Sequence, residues 1–472
     1  PVGYYWARVG TCSNPSCRAK IPLLRQMNLV SQRDKNISLR PLIVGNKVDF
    51  QIINGLTKGS WISRGNLECP CCGNITENSV LKQQFYDGKI ENRLLVIIYD
   101  SKVGKTYRLP NKNDLDVFNN LPKIKYRPSE ALPITYSKAM AFCLWNFNTW
   151  GDIYSDRELV FLNAFVDSIN EFNSIDNLDY GIAIKTYLAI LFDRIASRQT
   201  TFGLWNTKAE TIEHPFGKQA IQMVFDYPES NPFSDSGGGT LSQMEWIIRY
   251  IENESSFFNY TKCVNASSGD KNQFSEKYLD VVITDPPYYD AVAYADLSDF
   301  FYVWLKRILG SNLPLNFSTP QTPKTEECTA LKHHRSEDND LAKLHFESKL
   351  LQIFDAIEHQ TSELVSIMYA HQSTEAWTTL CNSILGARMN ITGSWAIDTE
   401  RTSGTKVDKA FLSSSVTVSC RPAQRKGYGD YKDVKKSVEK TVALEVAELY
   451  KLGFRGADLL TACFGQAVSE FG

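Results

Sequence analysis

The chain has no excess of charge of either sign. Its 51 Lys and Arg nearly balance 53 Asp and Glu, a formal net charge of −2 over 472 residues. No global basic field therefore draws it to nucleic acid, and any such contact must come from local patches. A long apolar run is also missing. None reaches the roughly 18 residues that suggest a membrane span, and the nearest candidate, YGIAIKTYLAILF, is broken by Lys185. The N-terminus lacks the charged, apolar and small-residue regions of a signal peptide, so the expected setting is cytoplasmic and thiol-reducing. There the eleven cysteines serve as metal ligands or buried thiols, not as disulfides. The chain opens on Pro1-Val2 instead of methionine, and the expectation is that it begins inside a longer protein. The composition, 43% hydrophobic and 22% charged, suits a soluble globular protein of roughly two to four domains.

Five of the cysteines fall in the first 72 residues, in TCSNPSCRAKIPL and LECPCCGN. Cys12 and Cys17 are separated by four residues, Cys69 and Cys72 by two, with Pro70 and Gly73 around the second pair. Such turns let two thiolates converge on one tetrahedral Zn²⁺, with Gly73 supplying the permissive backbone of a knuckle. Neither pair saturates zinc alone; together they make a closed four-cysteine site of the structural kind. Cys71 competes for a place in it, since it could replace Cys69 or Cys72. The 51 residues between Cys17 and Cys69 contain RPLIVGNKVDFQIING and are expected to form a β-rich insert.

Further on, RLLVIIYDSKVGKTYRLP reads as a hairpin around Gly104, and the three prolines of LPKIKYRPSEALPITYS mark an extended connector. SDRELVFLNAFVDSINEFN and YGIAIKTYLAILFDRIASRQ carry apolar residues at helical spacing, the first with Ser155 as its cap. From residue 278 the order becomes strand, helix, strand, helix, strand, strand. YLDVVITDPPYYD starts as a short apolar run expected of a central parallel strand buried on both faces. Leu297, Phe300, Phe301, Trp304, Leu305 and Ile308 then make one stripe of a helix. This is the second half of a doubly wound sheet ending in a reversed hairpin. In such sheets chemistry gathers at the carboxyl ends of strands, where Asp285 sits.

The loop that follows has the chemistry of amine methylation. The lone pair of an exocyclic nucleobase amine is delocalised into the ring, so the nitrogen attacks a methyl group only when acceptors hold its hydrogens as it pyramidalises. Asp285 supplies one acceptor. A backbone carbonyl beside Pro286 and Pro287 supplies the second, fixed by the prolines. Tyr288 offers a flat face for the base, which must be flipped out of a duplex to reach the site.

TDPPYYDAVAYADLSDFFYVWLKR resembles the catalytic motif of amino-group DNA methyltransferases. It is similar, more specifically, to the large adenine-specific DNA methylases that carry a zinc ribbon. The resemblance extends to GYYWARVGTCSNPSCRAKIPLLRQ, ECPCCG, TWGDIYSDRELV, FGKQAIQMVFDYPESNPF, MYAHQSTEAWTTL and GSWAIDTER, and so covers most of the chain. It implies a class I, Rossmann-like S-adenosylmethionine-dependent methyltransferase sheet of which this chain holds the second half, with an N-terminal zinc-ribbon domain and a helical connecting region. Asp285, Pro286, Pro287 and Tyr288 are the implied amine-binding loop, S-adenosylmethionine the methyl donor with Asp285 also beside it, and adenine N6 in double-stranded DNA the target. The corresponding divisions are a zinc-ribbon domain over 1–110, a mainly helical region with a possible target-recognition element over 111–260, a catalytic region over 261–425 and C-terminal helices over 426–472.

The glycine-rich loop that holds the donor is implied to lie in an upstream segment of the same protein. The local substitute is NPFSDSGGGT, where Gly237, Gly238 and Gly239 read either as that loop or as a flexible turn. If the loop lies upstream, the sheet edge beside Val281 to Ile283 should be unpaired. Two other functions remain compatible with the residues: an RNA or other nucleobase amino-methyltransferase, and a non-catalytic zinc-containing nucleic-acid-binding piece.

Overall fold

The computed structural model describes residues 1–102, 104–133, 138–172, 178–217, 219–256, 261–371, 374–398, 414–422 and 429–451, with Leu459, Cys463 and Ala467 beyond. Two compact units divide the chain. One takes Pro1–Asn259 and Tyr294–Pro323, the other Tyr260–Ala293 and Lys324–Gly472.

The first unit begins with β1 (Gly3–Thr11) and β2 (Lys20–Pro22). Three strands, β3 (Asn28–Ser31), β4 (Asn36–Val44) and β5 (Lys47–Asn54), form an antiparallel sheet in the stretch between the cysteine pairs, and β6 (Ile62–Ser63), β7 (Asn66–Glu68) and β8 (Ile75–Thr76) form a smaller one. The main sheet is completed by β9 (Glu91–Tyr99) and β10 (Thr106–Arg108), which are paired across the Gly104 turn. After the short pair β11 (Leu204–Asn206) and β12 (Thr211–Glu213), β13 (Asp226–Ser230) closes it in the order β10-β9-β1-β13, with β2 on β1. All its pairings are antiparallel. β1 does not alternate; nearly every residue is buried because both faces of the sheet are covered. Tyr5, Ile21, Leu23, Leu67, Leu81 and Val96 share one apolar core with Cys12 and Cys69.

The unit's helices are α1 (Asn78–Tyr86), α2 (Lys112–Asn119), α3 (Asp156–Glu171), α4 (Leu178–Ala196), α5 (Thr240–Glu254) and α6 (Tyr294–Leu309). Ser155 caps α3 as its sequence suggests: its hydroxyl accepts from the Glu158 N–H, and the Glu158 carboxylate accepts from the Ser155 N–H. The aromatic stripe of α6 is core. Phe300 and Trp304 are fully buried, and Trp304 lies 5.3 Å from Phe192 of α4 and donates its indole N–H to Tyr154 at 3.0 Å. That packing is why Tyr294–Pro323, expected within the catalytic region, belongs to the first unit.

The second unit holds β14 (Leu279–Thr284), β15 (Thr361–Tyr369), β16 (Met389–Asp398) and β17 (Ser414–Pro422), with α7 (Asn339–Gln360), α8 (Thr374–Gly386) and α9 (Tyr431–Lys451). Its sheet runs β14-β15-β17-β16. β14 and β15 are parallel, while β17 is antiparallel to both β15 and β16. Phe346, Leu350, Phe354 and Ile357 on α7 and Trp377, Leu380 and Ile384 on α8 bury one stripe each, in one core with Val365, Ile367 and Val418. α9 buries none of its residues, and most of the chain after it lies outside the described residues, as do residues 399–413 between β16 and β17.

One expectation fails here. β14 is not a strand buried on both faces, because it ends the sheet and pairs only with β15 among the described strands. Val281 is 49% and Ile283 81% exposed. The apolar run is a strand signal, but its burial depends on a neighbour that the described residues do not supply.

Candidate functional site

The cysteine cluster is built by two turns of the first unit. β1 delivers Cys12, whose N–H bonds the Ala19 carbonyl at 2.9 Å; the chain then turns back through Cys17 and Arg18, whose N–H groups both donate to the Asn14 carbonyl at 3.1 and 3.0 Å. After β7, Cys69 donates to the Asn74 carbonyl at 2.9 Å and the Gly73 N–H returns to the Cys69 carbonyl at 2.8 Å. Gly73 sits at φ +72, the left-handed conformation that the knuckle requires and a Cβ would strain. The turns are tied together: the Ser13 N–H donates to Thr76 and Asn74 donates to the Ser13 hydroxyl, both at 2.9 Å.

The result brings Sγ of Cys12, Cys17, Cys69 and Cys72 within 4.8 Å of one another. Cys12 and Cys72 are 3.7 Å apart, Cys17 and Cys69 3.8 Å. Four sulfurs at about 2.3 Å from a tetrahedral zinc stand about 3.8 Å from each other, so the donor set and its spacing could hold such an ion. Cys71 is not among the four sulfurs that converge, whereas Cys69 and Cys72 both are. Burial pushes the Cys12 thiol up to about 12, whereas the Asn74 N–H helps hold exposed Cys72 at about 7. A cation held there would supply the charge that lets all four sulfurs ionise.

The second constellation lies at the carboxyl ends of two parallel strands in the second unit. Thr284 of β14 is in register with Ile367 of β15, so Asp285 leaves one strand beside the end of the next, where Tyr369 and then His371 follow. Asp285 is exposed and carries no side-chain hydrogen bond or ion pair among the described residues, while Pro286 is buried. The loop then turns sharply: Tyr289 donates to the Pro287 carbonyl at 3.1 Å and Ala291 to that of Tyr288 at 3.0 Å. Tyr289 takes φ +56, a strained conformation for a bulky side chain. Its carbonyl accepts from Ala330 at 3.0 Å, and its ring stands edge-on to Phe346 at 5.1 Å. These contacts hold the strained turn. Tyr288 remains half-buried, edge-on to Tyr369 at 5.3 Å.

No family model matches the chain, and no curated protein matches it.

The candidate glycines fall elsewhere. Gly237, Gly238 and Gly239 join β13 to α5 in the first unit, after an edge strand of an antiparallel sheet, whereas Asp285 belongs to the second unit. No one sheet carries both. Gly239 is required by its own turn, because a Cβ there would meet the Ser234 carbonyl oxygen at 1.7 Å; at Gly237 it would meet nothing within 4 Å.

The reading of individual residues missed Tyr369 and His371. Tyr369 is fully buried with no hydrogen-bond partner for its hydroxyl, and burial raises its pKa. His371 lies 3.9 Å from Asp290 and accepts the Trp377 indole N–H on its carbonyl at 3.0 Å. The available signal was their position, at the end of an apolar strand parallel to β14.

Proposed function

We propose that the chain is an amino-methyltransferase that takes the exocyclic amine of adenine in DNA, with S-adenosylmethionine as methyl source and a structural zinc in the four-cysteine cluster. The observation that carries the reading is the free Asp285 carboxylate at the carboxyl end of β14, leading into a turn whose conformation is held from both sides. Asp285 accepts one N–H of the amine. The Pro286 carbonyl, which accepts no hydrogen bond from a described residue, accepts the other. Tyr288, braced by Tyr369, presents its ring to a base taken out of its stack. The strand order β14-β15-β17-β16, with β17 alone reversed, supports the second half of a Rossmann-like methyltransferase sheet.

A cradle for the donor is not formed by the residues around Asp285. The described part of the second unit has no glycine-rich turn after a parallel strand, and the triple glycine serves a different sheet. On this reading the donor's cradle comes from a further segment, as the resemblance implies.

The test is transfer of a labelled methyl group to duplex DNA by the intact enzyme, with the segment that supplies the donor cradle, read by mass spectrometry of the nucleosides. N6-methyldeoxyadenosine is the expected product, reduced about a hundredfold or more by Asp285→Ala, the scale of losing one transition-state partner. Undiminished transfer by the variant, or methylation of cytosine alone, sinks the reading.

A further inference from the structure

A cavity of about 610 Å³ opens in the first unit, lined by the triple-glycine turn, by the end of α4 and by α5. Nothing in the methyltransferase reading uses it. Its volume is in the range of small-molecule sites, roughly 300–1,000 Å³. Apolar walls come from Val2, Ile98, Leu204 and Ile212.

The polar groups are unusual in what they leave unpaired. Arg194 and Arg198 stand one helical turn apart. Neither has a carboxylate within 4 Å among the described residues, and Arg194 buries its Nε without any acceptor. Among the described residues the Arg198 guanidinium donates only to the Arg194 carbonyl, at 2.9 Å. Lys105 and His214 are the other basic groups in the wall, and the Lys105 ammonium donates to the Glu210 carbonyl at 2.6 Å. The lining carboxylates are engaged elsewhere: Glu210 is paired to Lys35 at 2.8 Å and bonded by Tyr107 at 2.6 Å, and Glu213 accepts from Asn206 at 2.5 Å. Two guanidinium groups so placed ask for an anion of several oxygens.

On α5 the demand is of the opposite kind. Gln243 is 3% exposed; its Nε2 donates to the Gly237 carbonyl at 2.5 Å, which fixes the amide orientation and leaves Oε1 buried without a donor. One turn further along, Trp246 lines the same cavity and is 57% exposed, leaving ring surface free. A bare anion satisfies the arginines and leaves Gln243 and Trp246 idle. A molecule with a phosphate, an N–H donor and a flat ring satisfies all of them.

We propose that this cavity is a nucleotide site, in which Arg194 and Arg198 take the phosphate, Gln243 Oε1 accepts an N–H of the base and Trp246 stacks on it. The proposal does not rest on the methyltransferase reading. S-adenosylmethionine is disfavoured as occupant because its sulfonium brings a positive charge into a basic pocket and it has no phosphate.

The test is calorimetric titration of the whole chain with AMP, adenosine, inorganic phosphate, S-adenosylmethionine, and deoxyadenosine trinucleotides with and without a 5′-phosphate. AMP is expected to bind one to one, with adenosine and phosphate each at least tenfold weaker. Arg194→Gln combined with Arg198→Gln should weaken AMP at least tenfold and leave adenosine unchanged, whereas Trp246→Ala should weaken both. A phosphorylated trinucleotide that matches AMP supports the proposal with the end of a strand as source; AMP binding without trinucleotide binding supports it with a free nucleotide. Absent AMP binding, phosphate binding as tight as AMP, or AMP binding unchanged in both variants overturns it. So does S-adenosylmethionine binding more tightly than AMP and surviving loss of the arginines. Trp246 is exposed, so its variant keeps the test informative if the arginine variant fails to fold.

Discussion

Cys12 and Cys72, 60 residues apart in sequence, bring their sulfurs to 3.7 Å. No disulfide joins them, and the second pair stands at nearly the same separation. This is the spacing of ligands on one ion. Metal analysis should find one zinc per chain, and Cys72→Ser should lower both zinc content and thermal stability. Cys71→Ser, outside the cluster, should retain the metal. Zinc well below one per chain, or retained with unchanged stability in Cys72→Ser, refutes this ligand set.

The buried hydroxyl of Tyr369 has no partner among the described residues, and a hydroxyl left unsatisfied costs roughly 1–3 kcal/mol. Tyr369→Phe removes the polar atom and preserves the ring that braces Tyr288. The variant should therefore be as stable as the wild type or more so, by about 1 kcal/mol, in denaturant unfolding. If the hydroxyl meets a bound base, adenine-containing DNA should bind the variant several-fold less tightly. Marked destabilisation would show that the hydroxyl has an internal role.

Local grammar was readable where the interaction is local. The Ser155 cap, the Gly104 hairpin, the α6 stripe and the two cysteine turns each depend on residues within a few positions of one another, and the structure has them all. What sequence did not disclose depends on distant partners. Val281 and Ile283 read as buried because apolar strands usually have neighbours on both sides. The triple glycine read either as a donor loop or as a flexible turn, and Gly239 is explained by the Ser234 carbonyl against it. The cavity beside that loop joins α4 to α5 across about fifty positions, and no short motif announces it.

Among the described strands β14 has one unpaired edge, with Ile283 81% exposed. Such an edge is a template for strand addition between copies. Ile283→Lys adds a charge without opening a core cavity, so thermal stability should change by less than about 0.5 kcal/mol. Light scattering should show slower aggregation. Unchanged aggregation together with a large loss of stability would mean that Ile283 is covered in the folded protein in solution.

Glu158 carries a pH signature. It is 1% exposed; one oxygen accepts the Ser155 N–H at 2.7 Å and the other has no partner. Burial first, and then the charge of Glu229, pushes its carboxyl up to about 8, against the opposing pull of Arg157. The unfolded chain holds it near 4.3. Between those values the folded state keeps a proton that the unfolded state has lost. Stability therefore falls as pH rises from about 4 to about 8, by at most about 1.4 kcal/mol per unit, and the loss is complete above the folded pKa. Glu158→Gln is neutral throughout and keeps an oxygen for Ser155. It should match the wild type near pH 4, where both side chains are uncharged, and exceed it by roughly 2–4 kcal/mol at pH 9. Unfolding curves at the two pH values decide the matter. A variant less stable than the wild type at pH 9 would show that Glu158 is held as a stabilising carboxylate, with Arg157 and the buried Arg8 outweighing its burial.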